Sequence, residues 1–356
     1  MSTSPSPFPD KQSEWYADKL ILAPMVRIGT LPMRMLALKY GADIVYTPEI
    51  IAQKIITAER IVNPNTGIIE YITKGAVDLA IHPAEKPYLV FQMGASDPDI
   101  ALKAALAVAQ DVSGIDLNCG CPKKFSIQGG MGAALLTEPE KLEAILRNLV
   151  EHCPVPVTCK IRVLDSDEDT IKLVKMIEST GVKALAVHCR TRDQRPRDPA
   201  HWDKLKLVTN TVQSIPIIAN GDVFKYADIS KIKEAGNVSS VMIARGAQSD
   251  PSIFSKDGPV SPYLIAQQYI SLSIKTNNRF VNAKYLLMQM YPLTKSAEFK
   301  QLTRSKNYED LKSTFGLKNI LTVRIDKLGE MGPDSSESAS PANQGSYLDN
   351  FQPRTY

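Results

Sequence analysis

The sequence predicts an α/β protein, a TIM (β/α)8 barrel followed by a small C-terminal bundle of helices. Eight short apolar, β-branched runs alternate with helical patterns, which is typical of βα units and a parallel sheet. The eight units fit within about 250 residues, the usual size of this barrel. Polar side chains follow most of the runs at their C-terminal ends, where barrels of this class carry their chemistry.

In order along the chain, the predicted strands occupy 20–23, 44–46, 88–92, 115–117, 155–161, 184–187, 215–219 and 241–244. Several runs are apolar on both faces, as buried barrel strands are. Helices are predicted between them at 97–109, 138–152, 168–180 and 226–235. Ser96 is the expected N-cap of the first helix, and Gly181 and Gly236 are expected to end the last two. An open, doubly wound sheet is disfavoured because no G-x-G-x-x-G follows the first strand.

Composition divides the chain into four segments. We expect a disordered Ser/Pro-rich leader at 1–15, the barrel at 16–258, a helical domain at 259–328 and a disordered tail at 329–356. The net charge of +4 is uneven: residues 1–260 are neutral, whereas residues 261–330 hold 11 basic and 5 acidic side chains. A basic module on a neutral body indicates contact with a polyanion, although a solvated helical face is the plainer alternative.

Cysteines, histidines and apolar runs exclude several classes of protein. Five cysteines show no paired framework, so reduced thiols in an intracellular protein are expected. No set of histidines and cysteines has metal-site spacing, so no metal is predicted. No apolar run reaches about 18 residues, so no membrane span is expected. The N-terminus resembles neither a secretory signal nor a transit peptide. We therefore expect a cytoplasmic monomer, with a nuclear pool as a second option.

The stretch 114–136, GIDLNCGCPKKFSIQGGMGAALL, is the most informative part of the chain. An apolar strand ends in Asn118, and Cys119, Gly120, Cys121 and Pro122 follow directly. A glycine-rich loop and a new helix start come next. A reactive side chain on the loop after a buried strand is how a parallel barrel builds chemistry, and here that side chain is a thiol. A buried structural cysteine is the alternative for any one of these thiols.

Other strand ends suggest a flavin with one phosphate. Lys160 ends the fifth strand, where burial without an anionic partner would be costly, and Gln92 is placed to bond the polar edge of a flavin ring. The ends of the last two strands are the usual phosphate cradle, with backbone amides near glycine and a fixed cation. The predicted FMN site consists of Pro24, Met25, Val26, Gln92, Lys160, His188, Asn220, Gly221, Asp222, Ala244 and Arg245. No motif for the second nucleotide of FAD is present.

These segments closely resemble the tRNA-dihydrouridine synthases. The resemblance rests on Asn-x-Gly-Cys-Pro and on Ala-Pro-Met, Gln-Met-Gly, Lys-Ile-Arg, His-x-Arg-Thr-Arg, Asn-Gly-Asp and Ala-Arg-Gly-Ala, across residues 19–330. The segments VRIGTLPMRMLAL and DPSIF resemble the eukaryotic branch that acts on tRNA position 20. Animal members of that branch carry an added double-stranded-RNA-binding domain. We do not expect one here, so RNA affinity is expected from the barrel and the helical module.

The resemblance implies flavin-dependent reduction of a uridine, at position 20 in the D-loop, to 5,6-dihydrouridine in tRNA. In the family, NADPH or NADH reduces FMN, and flavin N5 delivers hydride to uracil C6. Cys121 matches the family's acid, which protonates C5. A thiol with an ordinary pKa near 8.5 is protonated at neutral pH and can donate. Cys119 and Cys189 are expected to be structural, and the target base must be flipped out of its stack.

The resemblance also implies contacts to the substrate. Asn118 is expected to bond the uracil edge, and His188 to lie near the flavin or its phosphate, with a satisfied strand histidine as the alternative. Arg190 and Arg192 are expected to contact substrate or tRNA phosphate at the mouth of the site. Basic residues of the helical domain are expected to face the tRNA backbone; these are Lys275, Arg279, Lys284, Lys295, Lys300, Arg304 and Lys306.

Two other functions stay open at this point. An FMN barrel oxidoreductase acting on a free pyrimidine would share the flavin site but would not need the basic module. A non-catalytic RNA-binding protein would keep the fold alone, against which the intact Cys121, Lys160 and Arg245 argue. Activity on free uridine would favour the first alternative, and a colourless protein the second.

Overall fold

The computed structural model describes residues 10–291 and 296–318. The strands of this part of the chain are β1 (Leu20–Leu22), β2 (Ile44–Tyr46), β3 (Ile50–Ile51), β4 (Glu59–Val62), β5 (Ile69–Thr73), β6 (Ala76–Ile81), β7 (Leu89–Gly94), β8 (Gly114–Cys119), β9 (Val157–Arg162), β10 (Leu185–His188), β11 (Ile217–Asn220) and β12 (Ser240–Ile243).

The helices of the same residues are α1 (Lys11–Glu14), α2 (Leu31–Lys39), α3 (Ala52–Ile56), α4 (Pro98–Val108), α5 (Lys124–Gln128), α6 (Pro139–His152), α7 (Asp167–Ser179), α8 (Asp203–Thr211), α9 (Asp228–Gly236), α10 (Arg245–Ser249), α11 (Pro262–Lys275), α12 (Phe280–Met290), α13 (Ala297–Arg304) and α14 (Tyr308–Thr314). Short 3₁₀ turns occupy Pro83–Tyr88, Ala109–Asp111, Gly132–Thr137 and Pro251–Phe254. Within the described ranges, every helix is too short or too polar to cross a lipid bilayer.

Eight parallel strands close into the predicted barrel. In order around it they are β1, β2 and β7 to β12, and β12 returns to pair with β1. Closure aligns Leu20 with Val241 and Val45 with Leu89. Tyr16, Tyr46 and Met242, among other side chains, fill the barrel interior. The barrel is therefore packed through its lower part, and its open end is the C-terminal end of the strands.

A three-stranded antiparallel sheet of β4, β5 and β6 follows α3, and the sequence analysis missed it. Every residue of β4 is exposed, so this strand lacks the apolar alternation by which a half-buried strand is recognised. The sheet is anchored to the barrel at Asp111, which accepts two hydrogen bonds from Arg60, at 2.7 and 2.8 Å, and one from Tyr71 at 2.6 Å. Between Tyr71 and Ile72 the register shifts, so Asp78 forms a bulge on β6.

Two predicted helix ends are wrong by a single residue. The N-cap of α4 is Asp97 rather than Ser96, because the Asp97 carboxylate accepts the Ile100 N–H at 2.9 Å. Helix α9 continues through Gly236 and is closed by Asn237, whose φ is 52°. Gly236 serves packing instead, because a Cβ there would lie 2.6 Å from the Leu205 Cβ.

Residues 10–15 are folded, so the predicted boundary of the disordered leader at residue 15 is wrong for these residues. Asp10 caps α1 by accepting the Gln12 N–H at 2.9 Å and pairs with Lys183 at 2.5 Å. Tyr16 follows and is fully buried. A Cβ at Gly114 would collide with the Tyr16 hydroxyl. The remainder of the predicted leader, 1–9, and the predicted tail, 329–356, lie outside the described residues.

Helices α11 to α14 form the C-terminal helical domain, which packs on the barrel through α11 and α2. Leu286, Leu287 and Phe315 are buried within it. A second link joins it to the loop after β1, where the Arg27 guanidinium lies 4.4 Å from the centre of the Tyr285 ring. The mouth of the barrel and the helical domain are therefore held in direct contact.

Candidate active site

The loop after β8 is folded so that it presents Cys121. The Asn118 side-chain oxygen accepts the N–H groups of Gly120 and Cys121, both at 3.0 Å. The Cys121 carbonyl accepts the Ala133 N–H at 3.0 Å. Gly132 has a φ of 59°, and a Cβ there would lie 2.7 Å from that carbonyl oxygen. The glycine run is therefore required for the loop to fold back against its own cysteine.

Cys121 lies against a carboxyl group that the sequence analysis did not identify. The Glu49 side chain, just before β3, lies beside the thiol and interacts with it electrostatically. Burial, and then the negative charge of Glu49, raises the pKa of Cys121 above its ordinary value. Burial likewise raises the pKa of Glu49. The thiol is therefore protonated at neutral pH, as a proton donor must be.

The other two cysteines near the mouth do not share the partly exposed environment of Cys121. Cys119 and Cys189 are fully buried in the hydrophobic core. Burial raises the pKa of Cys189 to about 12, and the Cys119 thiol is directed at the Leu117 carbonyl of its own strand. Both positions agree with the expected structural role.

A row of polar side chains crosses the upper barrel, centred on Asp116, which was also missed. The buried Asp116 carboxylate accepts hydrogen bonds from Gln92 at 2.8 Å and from Thr158 at 2.7 Å. Burial raises its pKa to about 6, while those two donors and the charge of Lys160 act in the opposite direction. The Gln92 side-chain oxygen accepts from Asn118 at 3.0 Å, so one N–H of Gln92 is left for a ligand.

Lys160 projects from β9 beside this row. Burial lowers its pKa to about 8, the positive charge of Arg162 lowers it further, and Asp116 partly offsets both. Its ammonium group makes no hydrogen bond or ion pair with any residue that the structure describes. A partly buried cation without a partner is expected to accept an anionic group of a ligand.

A cavity of about 210 Å³ lies at the ends of β10, β11 and β12, where the sequence predicted a phosphate cradle. Four arginines, Arg162, Arg190, Arg195 and Arg245, line it against one carboxylate, Asp222. Gly221 has a φ of 138°, and a Cβ there would lie 2.8 Å from the Ala200 Cβ. The excess of positive charge suits a dianionic phosphate.

His188 lies in the positive electrostatic field of the arginines that line this cavity. Burial lowers its pKa well below the ordinary value, and the charges of Lys160, Arg162, Arg190 and Arg245 lower it further. The imidazole is therefore neutral, and its Nε2 accepts from an Arg190 nitrogen at 3.2 Å. His188 lines the cavity without adding a charge to it.

Several predicted roles change once the hydrogen bonds are known. Arg190, predicted to bind substrate, is only 2% exposed. Its guanidinium bonds both Asp222 oxygens at 2.6 Å, which places it in the cavity wall rather than on the surface. Asp222 is also bound to Arg245, so it positions the two arginines and does not offer its carboxylate to a ligand. The Asn220 amide donates to the Met242 carbonyl at 2.7 Å.

Asn118, predicted to bond the uracil edge, also has a role within the protein. Its oxygen folds the cysteine loop and its nitrogen bonds Gln92. The oxygen and one N–H of the Asn118 amide therefore hold the loop in place, and its second N–H is left for a ligand, as in Gln92. Ala244, before α10, lines the arginine-lined cavity.

The predicted residues outside the cavity fall into two groups. Some are exposed to solvent, and others are hydrogen-bonded within the protein. Pro24, Met25 and Val26 form the loop after β1, where Val26 is 60% exposed. Arg192 is 46% exposed beyond β10, and Arg304 is exposed at the end of α13. Lys284, by contrast, donates to the Thr303 and Ser305 carbonyls at 2.8 Å each. Its ammonium ties α12 to the end of α13, which corrects the predicted phosphate contact. Lys295 lies outside the described residues.

Among the described residues, no group of three or more histidine, cysteine, aspartate or glutamate side chains is arranged to hold a metal ion. The candidate site thus consists of a protonated thiol, an unpaired and partly buried lysine, and an arginine-lined cavity. All three lie at the C-terminal end of one parallel barrel, which is the layout of a barrel enzyme with a phosphorylated ligand.

The chain belongs to the dihydrouridine synthase family, whose model matches residues 21–307. It is 42% identical over 312 residues to the tRNA-dihydrouridine(20) synthase [NAD(P)+] of Schizosaccharomyces pombe, covering 84% of this chain and 65% of that protein. It is 38% identical over 328 residues to the protein of the same name from Saccharomyces cerevisiae, covering 86% of this chain and 84% of that one. The chain therefore spans just under two thirds of the first relative's length.

Solved structures are less similar. Histamine dehydrogenase from Rhizobium sp. 4-9 is 10% identical, with a TM-score of 0.48, over 71% of this chain and 49% of that one. A likeness at this level carries no argument about function.

Proposed function

We propose that this protein reduces a uridine of tRNA, at position 20, to 5,6-dihydrouridine. The observation that carries the proposal is a protonated Cys121 at the same barrel mouth as the unpaired Lys160 and the phosphate cavity. Membership of the dihydrouridine synthase family supports the reaction. The printed names of the two fungal relatives support tRNA, position 20 and a nicotinamide reductant.

FMN fits the residues that are present. The phosphate cavity has four arginines against one carboxylate and a neutral histidine, which matches one phosphate. Lys160 offers an unpaired ammonium for the anionic edge of a reduced flavin ring, and Gln92 offers one N–H. When bound, FMN would accept hydride from NADPH or NADH and pass it to C6 of the uracil.

The chain's own residues supply the proton and the electrostatics. Cys121 holds the proton destined for uracil C5, and burial together with the negative charge of Glu49 keeps the thiol protonated. Asp116, with a pKa of about 6, is ionised above that pH and partly balances Lys160. These groups are organised before a ligand arrives, which lowers the cost of orienting them during the reaction.

Exposed cations beyond the mouth are available for the tRNA backbone. Arg192, Lys300, Arg304 and Lys306 are all exposed. Phosphate contacts of this kind give affinity without sequence information. We therefore propose tRNA as the partner, bound across the barrel mouth and the helical domain.

The direct test uses the purified protein, unmodified tRNA and NADPH, with dihydrouridine mapped by mass spectrometry. We expect a yellow protein that releases FMN on denaturation and adds two mass units to one uridine, at position 20. Free uridine should not react. Release of FAD would contradict the cofactor assignment. Reduction of free uridine in preference to tRNA would contradict the substrate.

A further inference from the structure

A continuous chain of hydrogen bonds joins the interior of the barrel to the loop after β8. Its members lie on adjacent strands. Gln92 of β7 is aligned in register with Asp116 of β8, and Asn118 lies one level further along β8. Val90, two residues before Gln92, is packed in the barrel interior. Because residues two apart in a strand face the same side of the sheet, Gln92 and its hydrogen-bond partners face the interior as well.

Every hydrogen bond of this chain is donated in the direction of Asp116. The N–H groups of Gly120 and Cys121 donate to the Asn118 side-chain oxygen, both at 3.0 Å. The Asn118 side-chain nitrogen donates to the Gln92 side-chain oxygen at 3.0 Å. The Gln92 side-chain nitrogen in turn donates to the Asp116 carboxylate at 2.8 Å. Asp116 is therefore the final acceptor of the chain that begins at the backbone of the cysteine loop.

The two ends of the chain determine its direction. A backbone N–H can only donate, so Gly120 and Cys121 require the oxygen of Asn118. An ionised carboxylate can only accept, so Asp116 requires the nitrogen of Gln92. Turning over either amide would place donor against donor on one side of it and acceptor against acceptor on the other. Only the observed arrangement satisfies all of these groups.

Packing alone does not account for a carboxylate at this position. Asp116 is fully buried, and it makes no ion pair with any residue in the part of the chain that the structure describes. Burial raises its pKa to about 6, which reflects the cost of keeping a charge inside the barrel. An apolar side chain would fill the same space without that cost. What the carboxylate adds is an acceptor for Gln92.

We infer that Asp116 is a positioning residue, whose carboxylate sets the direction of this chain and so holds Cys121 in place as the proton donor. The inference rests on the proposed function for the role of Cys121. The same direction leaves one N–H of Gln92 and one of Asn118 unused. Asp116 thereby also determines that a ligand at this level of the barrel meets donors rather than acceptors.

The test compares a neutral acceptor with no acceptor at all. Asp116→Asn keeps an oxygen for Gln92. Its new N–H groups can donate to the Thr158 hydroxyl, which can direct its own proton to the Ile115 carbonyl, 3.4 Å away. Asp116→Leu has the same branched shape but offers no acceptor. Both variants remove the charge, so only the acceptor distinguishes them.

The position of the loop is measured by the reactivity of its thiol. Purified protein with bound flavin is treated with iodoacetamide, and alkylation of Cys121 is followed by peptide mass spectrometry, with half-buried Cys153 as the internal reference. We expect Asp116→Leu to raise the rate at Cys121 at least about fivefold, the factor that corresponds to one lost hydrogen bond. Asp116→Asn should stay near the wild-type rate.

Thr158→Val is the matched control. Thr158 donates to the other Asp116 oxygen at 2.7 Å, and valine has the shape of threonine without the hydroxyl. This variant removes a hydrogen bond from the same carboxylate but leaves the chain to the loop complete, so alkylation of Cys121 should be unchanged. Melting curves verify the fold of each variant. If Asp116→Leu does not fold, Asp116→Val replaces it with the same expectation.

Three results would overturn the inference. The first is a wild-type rate of Cys121 alkylation in Asp116→Leu. The second is an equal increase in Asp116→Leu and Asp116→Asn, which would assign the effect to the lost charge. The third is an equal increase in Thr158→Val, which would indicate general loosening of the barrel. Alkylation is read without tRNA or NADPH, so failure of the wild-type protein to form dihydrouridine contradicts only the proposed function.

Discussion

Cys121 and Cys119 are two residues apart in the chain but differ in exposure and surroundings. Cys121 is half-buried beside Glu49, while Cys119 is enclosed in the core. We expect Cys121→Ala to lower the rate of dihydrouridine formation about 10²-fold or more, the contribution typical of general acid catalysis. Reduction of the bound flavin by NADPH, followed by absorbance, should be unchanged.

Cys119→Ala is the matched control for this prediction. It removes the same thiol group from the adjoining end of β8, and we expect a small loss of stability with near-normal turnover. If Cys119→Ala stopped product formation and Cys121→Ala did not, the assignment of the acid would be wrong.

Lys160 gives a prediction about pH. Its pKa falls from an ordinary 10.5 to about 8 because burial disfavours the charged form. The associated stability is present above the unfolded pKa and is lost as pH falls through about 8. At pH 7 the charged ammonium therefore destabilises the cofactor-free protein. We expect Lys160→Met to raise the melting temperature of that form at pH 7 by a few degrees, with the gain shrinking by pH 10.

Although Lys160→Met should raise the melting temperature, it should weaken the retention of flavin, because the unpaired cation is lost. The control is Lys172→Met, at an exposed position on α7, which should change neither property. A melting temperature that falls at pH 7 would show that the ammonium is already stabilised within the fold.

Single residues also show which parts of the candidate site could be predicted from the sequence and which could not. Cys121 and Lys160 were identified because a short motif or a strand end surrounds each of them. Glu49 and Asp116 carry no motif, and only the closed barrel brings Glu49 to the thiol and Asp116 to Gln92. Nor does composition distinguish a lysine that meets RNA from Lys284, which bonds two carbonyls of a neighbouring helix.

At the scale of elements, the loop between β8 and α6 depends on its glycines. Gly132 combines a φ of 59° with a Cβ position 2.7 Å from the Cys121 carbonyl oxygen. We expect Gly132→Ala to displace the cysteine loop and lower product formation at least about tenfold, while the distant arginine-lined cavity still retains flavin. Turnover and bound flavin are measured on the same sample.

Gly75→Ala is the control, because Gly75 has a φ of 76° but nothing within 4 Å of a Cβ. It carries the backbone strain without the crowding, so a loss of about 1 kcal/mol of stability is expected with normal turnover. Equal losses of turnover in both variants would mean that strain alone, and not the packing of the loop, accounts for the effect.

Strands were easier to predict than the sheet that borders them. The eight barrel strands are apolar runs, and each recurs in the structure near its predicted place. The β4–β6 sheet went unrecognised because β4 is exposed throughout and β6 is interrupted by the bulge at Asp78. Its stability comes from contacts distant in sequence, such as Arg60 with Asp111, which no local pattern reveals.

At the scale of the whole molecule, the charge distribution predicts how tRNA affinity responds to salt. Arg192 and Arg304 are exposed on the barrel and the helical domain, respectively. We expect Arg192→Glu and Arg304→Glu each to weaken tRNA binding. Each should flatten the slope of log affinity against log salt by about 0.7–0.9 per lost phosphate contact. Filter binding at several salt concentrations measures both quantities.

Lys284→Met is the control for the charge reversals. It removes a positive charge from the same domain, but one bound to two carbonyls. A lower melting temperature with an unchanged salt slope is expected. A slope unaltered by Arg304→Glu would place the RNA contacts elsewhere, most directly on the arginines beyond β10.

The barrel can close only after its last strand has been synthesised. Strand β1 pairs on one side with β12. Leu20 is aligned with Val241, which lies 221 residues later in the chain. At about 5–20 residues per second, a ribosome needs roughly 10–45 s to make that stretch. During this interval one apolar edge of the nascent chain has no partner. Slow-translating cells, or a fusion that delays the last strand, should therefore increase the demand for chaperones on this protein.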